Sequence, residues 1–329
     1  MSEPRRAPRY TGVRTFAGLP HAPLPLDGGA ADAAAPAAEG APARSAGAAV
    51  IGVPFDTATS WRPGARFGPE AIRSASSLLR PWHPGHGVEV FRSLGVVDAG
   101  DVAITPGNAV RSAEQIATAL SPLCAAGAVT LVLGGDHSVL LGELRAQASV
   151  HGPLALAVLD AHADTWEDYY GERLFHGTVL RRAAEEGLID PARSLIAGIR
   201  GSLYEPQDLD DALALGFELM PIEQLRESAP ADFAARFRER AGDAPMFLSF
   251  DIDSMDPSAA PGTGTPEVGG LLASEALALV RSLAGMRFVG FDLVEVSPPY
   301  DSPGQITALL AANIAYEMLA LAAIAADRR

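Results

Sequence analysis

The sequence predicts an α/β fold: three layers, with a mainly parallel sheet of about eight strands covered by helices on both faces. Two observations carry this. From residue 49 onward, short apolar runs bounded by Gly, Pro or Asp alternate with segments whose apolar residues fall at helical spacing. Three of those runs also end in Asp and His, as expected where ligands gather at the carboxyl edge of a parallel sheet.

Taken in order, residues 1–26 are Pro-rich with scattered apolar side chains, which suggests an ordered arm lying on the domain or on a neighbouring subunit. Asp27 to Ala48 is an Ala/Gly/Pro tract without apolar periodicity and reads as a disordered linker or insertion. Residues 1–48 are therefore an arm and a low-complexity tract, and 49–329 a single domain. That domain opens with the strand Ala49 to Pro54. Gly68-Pro69 followed by Glu70 begins a helix, with Pro in the first turn and an acid near the N-terminus.

Leu94 to Val97 and Val129 to Leu133 are the next strands, and Ile116, Leu120 and Leu123 mark the core face of the helix between them. After Gly134-Gly135-Asp136-His137 a helix runs over Ser138 to Val150, and the strand Leu154 to Leu159 follows. Further strands are expected at Ser194 to Gly198, Glu218 to Pro221, Met246 to Phe250 and Arg287 to Phe291. Helices are expected around Thr178 to Glu186, Asp208 to Ala214, Ala231 to Ala241 and Ser274 to Ala284. Ala308 to Ala326 is long enough to raise a membrane question. Its polar Asn313, Tyr316 and Glu317, and the helical spacing of Leu310, Ile314, Met318 and Leu321, favour a buried or interface helix and no membrane.

Composition narrows the function. The 329 residues, 48% hydrophobic and 20% charged, are those of a soluble globular protein. All 25 basic residues are Arg, and the net charge of −15 argues against a nucleic-acid partner, which needs a basic face. Arg5, Arg6 and Arg9 precede no apolar h-region, so no signal peptide is read and a cytoplasmic location is expected. Cys124 is the single cysteine, so metal binding has to use His and carboxylates.

Those residue types collect at three strand ends. Asp160, His162 and Asp164 follow one strand on alternate residues, which turns them to one side. His137 follows a second strand, and Asp251 with Asp253 a third. Two His and four Asp suffice for two divalent cations if two carboxylates bridge, and ligation by carboxylate and imidazole without thiolate suits Mn²⁺, with Fe²⁺, Co²⁺ and Zn²⁺ left open. Such a pair activates water near neutral pH.

These segments resemble a known family. GGDHS at Gly134 to Ser138, DAHAD at Asp160 to Asp164 and SFDIDSMDPSAAPGTGTPEVGGL at Ser249 to Leu271 are similar to the three signatures of the ureohydrolases, the arginase and agmatinase family. IGVPFD and RPGARFGPEAIR between Ile51 and Arg73, and GFDLVEVSPPYD at Gly290 to Asp301, add two further matches in the right order. The resemblance implies an arginase-like fold and two Mn²⁺ per subunit. His137, Asp160, Asp164 and Asp251 would bind one cation, and Asp160, His162, Asp251 and Asp253 the other. It implies that Glu295 pairs with a substrate guanidinium, that His176 shuttles protons and that Asp164 also handles a proton. Val179-Leu180 stands where relatives often have Pro-Phe, which bears on the pocket wall. A homo-oligomer, trimer or hexamer, is implied as well.

The expected reaction is hydrolysis of a small cationic guanidino substrate to urea and an amine. Metal-dependent deacetylases share the wider fold but have a reduced, single-zinc ligand set, whereas His137, Asp164 and Asp253 complete a second site here. For the substrate, the loop Thr165 to Phe175 lacks the Ser and Asn with which arginases hold an α-amino acid, so arginine is disfavoured. Glu167, Asp168 and Glu172 against Arg173 leave a net −2, which suits the distal ammonium of agmatine, and Trp166 can face a methylene chain or cation. Arg173 or Arg200 keeps guanidinobutyrate or another guanidino acid, proclavaminate-type substrates included, as the alternative.

Overall fold

The computed structural model describes residues 8–9, 11–24 and 46–327. The tract expected to be a linker lies, up to residue 45, outside the described residues. Among the described residues the strands, numbered along the chain, are β1 (Ala48–Gly52), β2 (Trp82–His83), β3 (Val88–Glu89), β4 (Val96–Asp101), β5 (Val129–Leu133), β6 (Ala155–Leu159), β7 (Leu195–Ile199), β8 (Glu218–Pro221), β9 (Met246–Asp251) and β10 (Phe288–Val294). Eight of them form one sheet in the order β4-β1-β5-β10-β9-β6-β7-β8, with every neighbouring pair parallel. β2 and β3 form a small antiparallel hairpin apart from it.

The helices are α1 (Gly68–Ser76), α2 (Val90–Leu94), α3 (Ala109–Ala125), α4 (Leu140–His151), α5 (Val179–Glu185), α6 (Gln207–Leu215), α7 (Ile222–Glu227), α8 (Pro230–Ala241), α9 (Ala273–Ser282) and α10 (Ile306–Asp327). Covered on both faces, β1, β6 and β7 are buried at every residue, which is why they read as unbroken apolar runs. One core cluster carries α7 to α10 against the sheet, and another packs α4 and α5 on the opposite side.

Two expected boundaries moved for local reasons. The strand expected at Leu94 to Val97 starts at Val96, because Glu89 caps the short helix α2 by accepting from the Arg92 and Ser93 amides. Gly95, at φ +64°, then ends that helix in the left-handed region. The last strand runs past Phe291 to Val294 because Asp292, buried within it, is tied to β9 through Ser249 Oγ at 2.7 Å and the Phe250 amide at 3.2 Å.

Helix α10 meets the length and composition of a membrane span, but 78% of its apolar window is buried inside the fold. It packs on α1, α2 and α9, so its all-round apolarity marks a core helix. The arm is held to the sheet edge: Asp98 of β4 accepts from the Phe16 amide at 2.7 Å, and the Asp98 and Ala99 carbonyls take the Ala22 and Leu24 amides. Arg73 of α1 binds the same Asp98 through Nε at 2.9 Å and Nη2 at 3.0 Å, joining helix, strand and arm.

Candidate active site

The parallel register brings four strand ends level. Leu133 pairs with Leu293, Val294 with Asp251, and Phe250 with Leu159. The residues that follow β5, β10, β9 and β6, adjacent in the middle of the sheet, therefore emerge side by side. Gly135 is required at the first exit, since a Cβ there would lie 1.6 Å from the Phe55 carbonyl oxygen. The close approach lets Asp136 N–H donate to that carbonyl at 2.8 Å and Asp136 Oδ2 accept from Ala58 N at 2.9 Å.

Six residues expected as ligands meet at this edge. His137 Nδ1 lies 2.8 Å from Asp164 Oδ2, 3.2 Å from Asp160 Oδ2 and 3.6 Å from Asp251 Oδ2. His162 Nδ1 lies 2.9 Å from Asp253 Oδ2 and 3.6 Å from Asp160 Oδ1. Asp160 thus faces both imidazoles. The donor atoms of His137, Asp160 and Asp164 lie within 4.8 Å of one another, as do those of Asp160, His162 and Asp253. Each trio is compact enough for one cation.

Electrostatics make the same demand. Burial, then repulsion from Asp253, Asp160 and Glu295, pushes Asp251 well above the usual carboxylate range; burial and Asp160 push Asp164 up too. Burial opposes charge on His137 and His162, yet the surrounding carboxylates hold both well above the ordinary imidazole value. Glu295 Oε2 is a buried acceptor with no hydrogen-bond partner, and the neighbour of the buried Asp160 Oδ2 is the ionisable His137 Nδ1 at 3.2 Å. A buried, acid-rich, thiolate-free set with an unpartnered acceptor oxygen beside it fits hard divalent cations.

Behind this layer, His137 Nε2 meets Ser249 Oγ at 2.9 Å, and Ser249 donates onward to Asp292. Ser249 Oγ can then accept from Nε2–H, which leaves Nδ1, the nitrogen facing the carboxylates, as the atom a cation would take in place of its proton. Glu295 Oε1 accepts from the His137 amide at 2.9 Å and faces His176 Nδ1 at 3.0 Å. Ser60 N–H points at His176 Nε2 from 3.1 Å, so the ring carries its proton on Nδ1. Asp164 at φ +50° and Glu295 at φ +62° are non-glycine residues in the left-handed region, where backbone strain concentrates at functional sites.

Residues 46–320 match the family described as the arginase family. The chain belongs to the arginase family. Its relatives differ in what their names say they act on. A guanidinobutyrase of Pseudomonas aeruginosa is 41% identical over 95% of this chain and 93% of its own length. A mitochondrial agmatinase of Gallus gallus is 45% identical over 83% of this chain and 80% of its own. The solved proclavaminate amidino hydrolase of Streptomyces clavuligerus superposes with a TM-score of 0.87 at 43% identity, covering 97% of this chain and 100% of that one. This chain is accordingly an arginase-family ureohydrolase acting on guanidino compounds.

A cleft of about 380 Å³ opens over the arginase-family centre, with Asp164 and His162 on its floor and Trp166, Tyr204, Asp208 and Leu209 in its walls. Trp166 reaches it because Gly177 has no side chain; a Cβ there would sit 2.9 Å from the indole Cε3. Glu167, Asp168 and Arg173, expected to wall the substrate's far end, do not line the cleft. The cause is pairing. Arg173, with its side chain 63% exposed, bonds Glu185 of α5 at 2.8 Å, and Glu167 lies 3.3 Å from Arg181. Asp168 accepts from the Gly171 amide within its own turn.

Arg200 does line the cleft, but its guanidinium donates to the carbonyls of Gly198, Asp253, Ser254, Met255, Glu267 and Val268. It has no donor left for a substrate carboxylate. Sequence reasoning missed Tyr204 and Asp208, which come from the segment after β7. Nothing in their local pattern announces that this segment folds over the metal motif. Ser249 and Asp292 were missed as partners of His137, although both lie inside quoted motifs.

Proposed function

We propose that this arginase-family chain hydrolyses agmatine to putrescine and urea with two Mn²⁺ per subunit. His137, Asp160, Asp164 and Asp251 would hold one cation, and Asp160, His162, Asp251 and Asp253 the other. When bound, such a pair lowers the pKa of water and stabilises negative charge that develops on oxygen. Glu295 positions the guanidinium: Oε1 is engaged by His137 and His176, which leaves the buried, unpartnered Oε2 to accept its N–H groups. Asp164, whose affinity for a proton is raised by burial and Asp160, takes a proton at its carboxylate and returns it to the leaving amine. His176, which lines the cleft, relays protons between that amine and solvent on the Nε2 side, where it meets Ser60, while Nδ1 stays on Glu295.

The observation that carries the choice of substrate is the charge of the cleft wall. Among the described residues, Asp208, whose Oδ2 accepts from the Tyr204 amide at 3.0 Å, is the one carboxylate lining it besides Asp164, and the one lining guanidinium, Arg200, is saturated by carbonyls. An ammonium tail is complementary to Asp208 and to the faces of Trp166 and Tyr204. A second reading, a guanidino acid, is favoured by the names of the guanidinobutyrase and the proclavaminate hydrolase, and the cleft hydroxyls of Ser60, Ser202 and Thr265 can donate to a carboxylate. The same proposal includes a single catalytic domain over 49–329, a trimer or hexamer, and a cytoplasmic location.

Urea release by Mn²⁺-loaded protein decides between the two readings. Agmatine is expected to turn over faster than 4-guanidinobutyrate at equal concentration, with arginine slowest. The reverse ranking rejects the amine preference and leaves the hydrolysis standing. No chelator-sensitive urea from any of the three rejects the reaction itself.

A further inference from the structure

Away from the catalytic edge, the hairpin of β2 and β3 presses two histidines against the middle of α10. His83 Nε2 lies 2.9 Å from Glu317 Oε2, and His86 Nε2 lies 3.9 Å from the same oxygen. The three donor atoms fall within 4.8 Å of one another, with His83 and Glu317 buried and His86 nearly so. His86 Nε2 is a buried atom with no hydrogen-bond partner. Tyr316, stacked on His83 with ring centroids 5.5 Å apart, has a buried hydroxyl that is likewise unpartnered.

We propose that His83, His86 and Glu317 form a second, independent cation site that takes Zn²⁺ or a similar imidazole-preferring divalent ion. Two imidazoles at H-x-x-H spacing plus one carboxylate make up a three-ligand zinc set with a fourth position open. It contrasts with the catalytic cluster, where carboxylates outnumber imidazoles and harder cations are favoured. The difference in donors lets one chain sort two kinds of metal. Glu317 divides its work: Oε1 takes Arg281 Nε at 2.9 Å and Nη2 at 2.5 Å, and Oε2 is left for the histidines.

Binding has a local cost. The His83 proton that now points to Glu317 from Nε2 moves to Nδ1, and Nδ1 then gives up the His86 N–H, which it accepts at 3.1 Å. Gly85 and Gly87 flank His86, and Gly87 has open space around it, so the turn can adjust. The neighbouring Arg281 charge lowers cation affinity further. The site is therefore of moderate strength, filled by added Zn²⁺ rather than carried through chelation.

The test is dialysis of full-length, Mn²⁺-loaded protein against micromolar ZnCl₂, with both metals counted per chain by mass spectrometry. One additional zinc is expected with manganese retained, and His86→Ala, on an adjustable turn, should lower zinc retention about tenfold or more while leaving manganese content unchanged. His83→Gln, checked for folding by circular dichroism, should do the same. Zinc that enters only as manganese leaves, or equal extra zinc in wild type and both variants, overturns the proposal.

Discussion

Replacing Glu295 with glutamine keeps the volume of the side chain and removes its charge, which separates guanidinium positioning from packing. The glutamine carbonyl can still accept from the His137 amide, where Glu295 Oε1 now accepts at 2.9 Å. The amide NH₂ then occupies the place of Oε2, the buried oxygen with no partner, and presents donors to the donors of a guanidinium. Losing a charge-assisted hydrogen bond costs about 1.5–3 kcal/mol, and the opposed donors add to that. At about 3 kcal/mol, kcat/KM for urea release falls about 150-fold. Without substrate the change relieves crowding, because Glu295 is one of the charges that push Asp251 and Asp136 upward. The thermal midpoint should therefore hold or rise. Steady-state urea release and a melting curve on one preparation test both halves. Turnover within about fivefold of wild type would refute the assignment of Glu295 to the guanidinium, a threshold set well inside the 3 kcal/mol estimate.

Asp164→Asn should cut turnover about a hundredfold or more while removing less than one manganese per chain, since an amide can still ligate but cannot take a proton; metal content falling in step with activity would reduce Asp164 to a ligand. Asp208→Asn should weaken kcat/KM for agmatine about two- to fivefold, the scale of a half-exposed ion pair, without harming 4-guanidinobutyrate; equal losses on both substrates would remove Asp208 from tail recognition. Phe237→Ala, in the fully buried stack of Phe237 on Phe288 with centroids 6.3 Å apart, should cost about 3–5 kcal/mol in chemical denaturation while sparing KM at low temperature; a loss below 1 kcal/mol would mean that α8 is not anchored there.

What the sequence discloses depends on whether the physics is local. Val129 to Leu133 and Leu154 to Leu159 announce a doubly covered parallel sheet because burial on both faces demands apolar residues at consecutive positions. The carboxyl ends then inherit His137, Asp160, His162, Asp164, Asp251 and Asp253 from short motifs whose spacing is itself the geometry. Loop 165–175 does bring Trp166 to line the cleft, but not Glu167, Asp168 and Arg173, for the opposite reason. Its charges looked free in the sequence, yet Glu167 and Arg173 are occupied by Arg181 and Glu185, partners that only the packing of α5 reveals. Asp208 is the mirror case, an ordinary acid in an acidic helix that the turn after β7 carries to the cleft. The short helices α2 and α7 and the hairpin of β2 and β3 were not expected, since elements of two to six residues contain too few periods to show a pattern.

Arg200 makes one consequence of this architecture concrete. By gathering carbonyls from residues 253–255 and 267–268 onto the end of β7, it clamps the segment that follows the catalytic strand β9. The clamp ends at residue 200, and the wall residues Ser202, Leu203, Tyr204 and Asp208 begin just beyond it. The part of the cleft wall built from residues 202–208 is thereby set apart in the chain from the reactive floor, and a change there leaves the clamp on residues 253–255 in place.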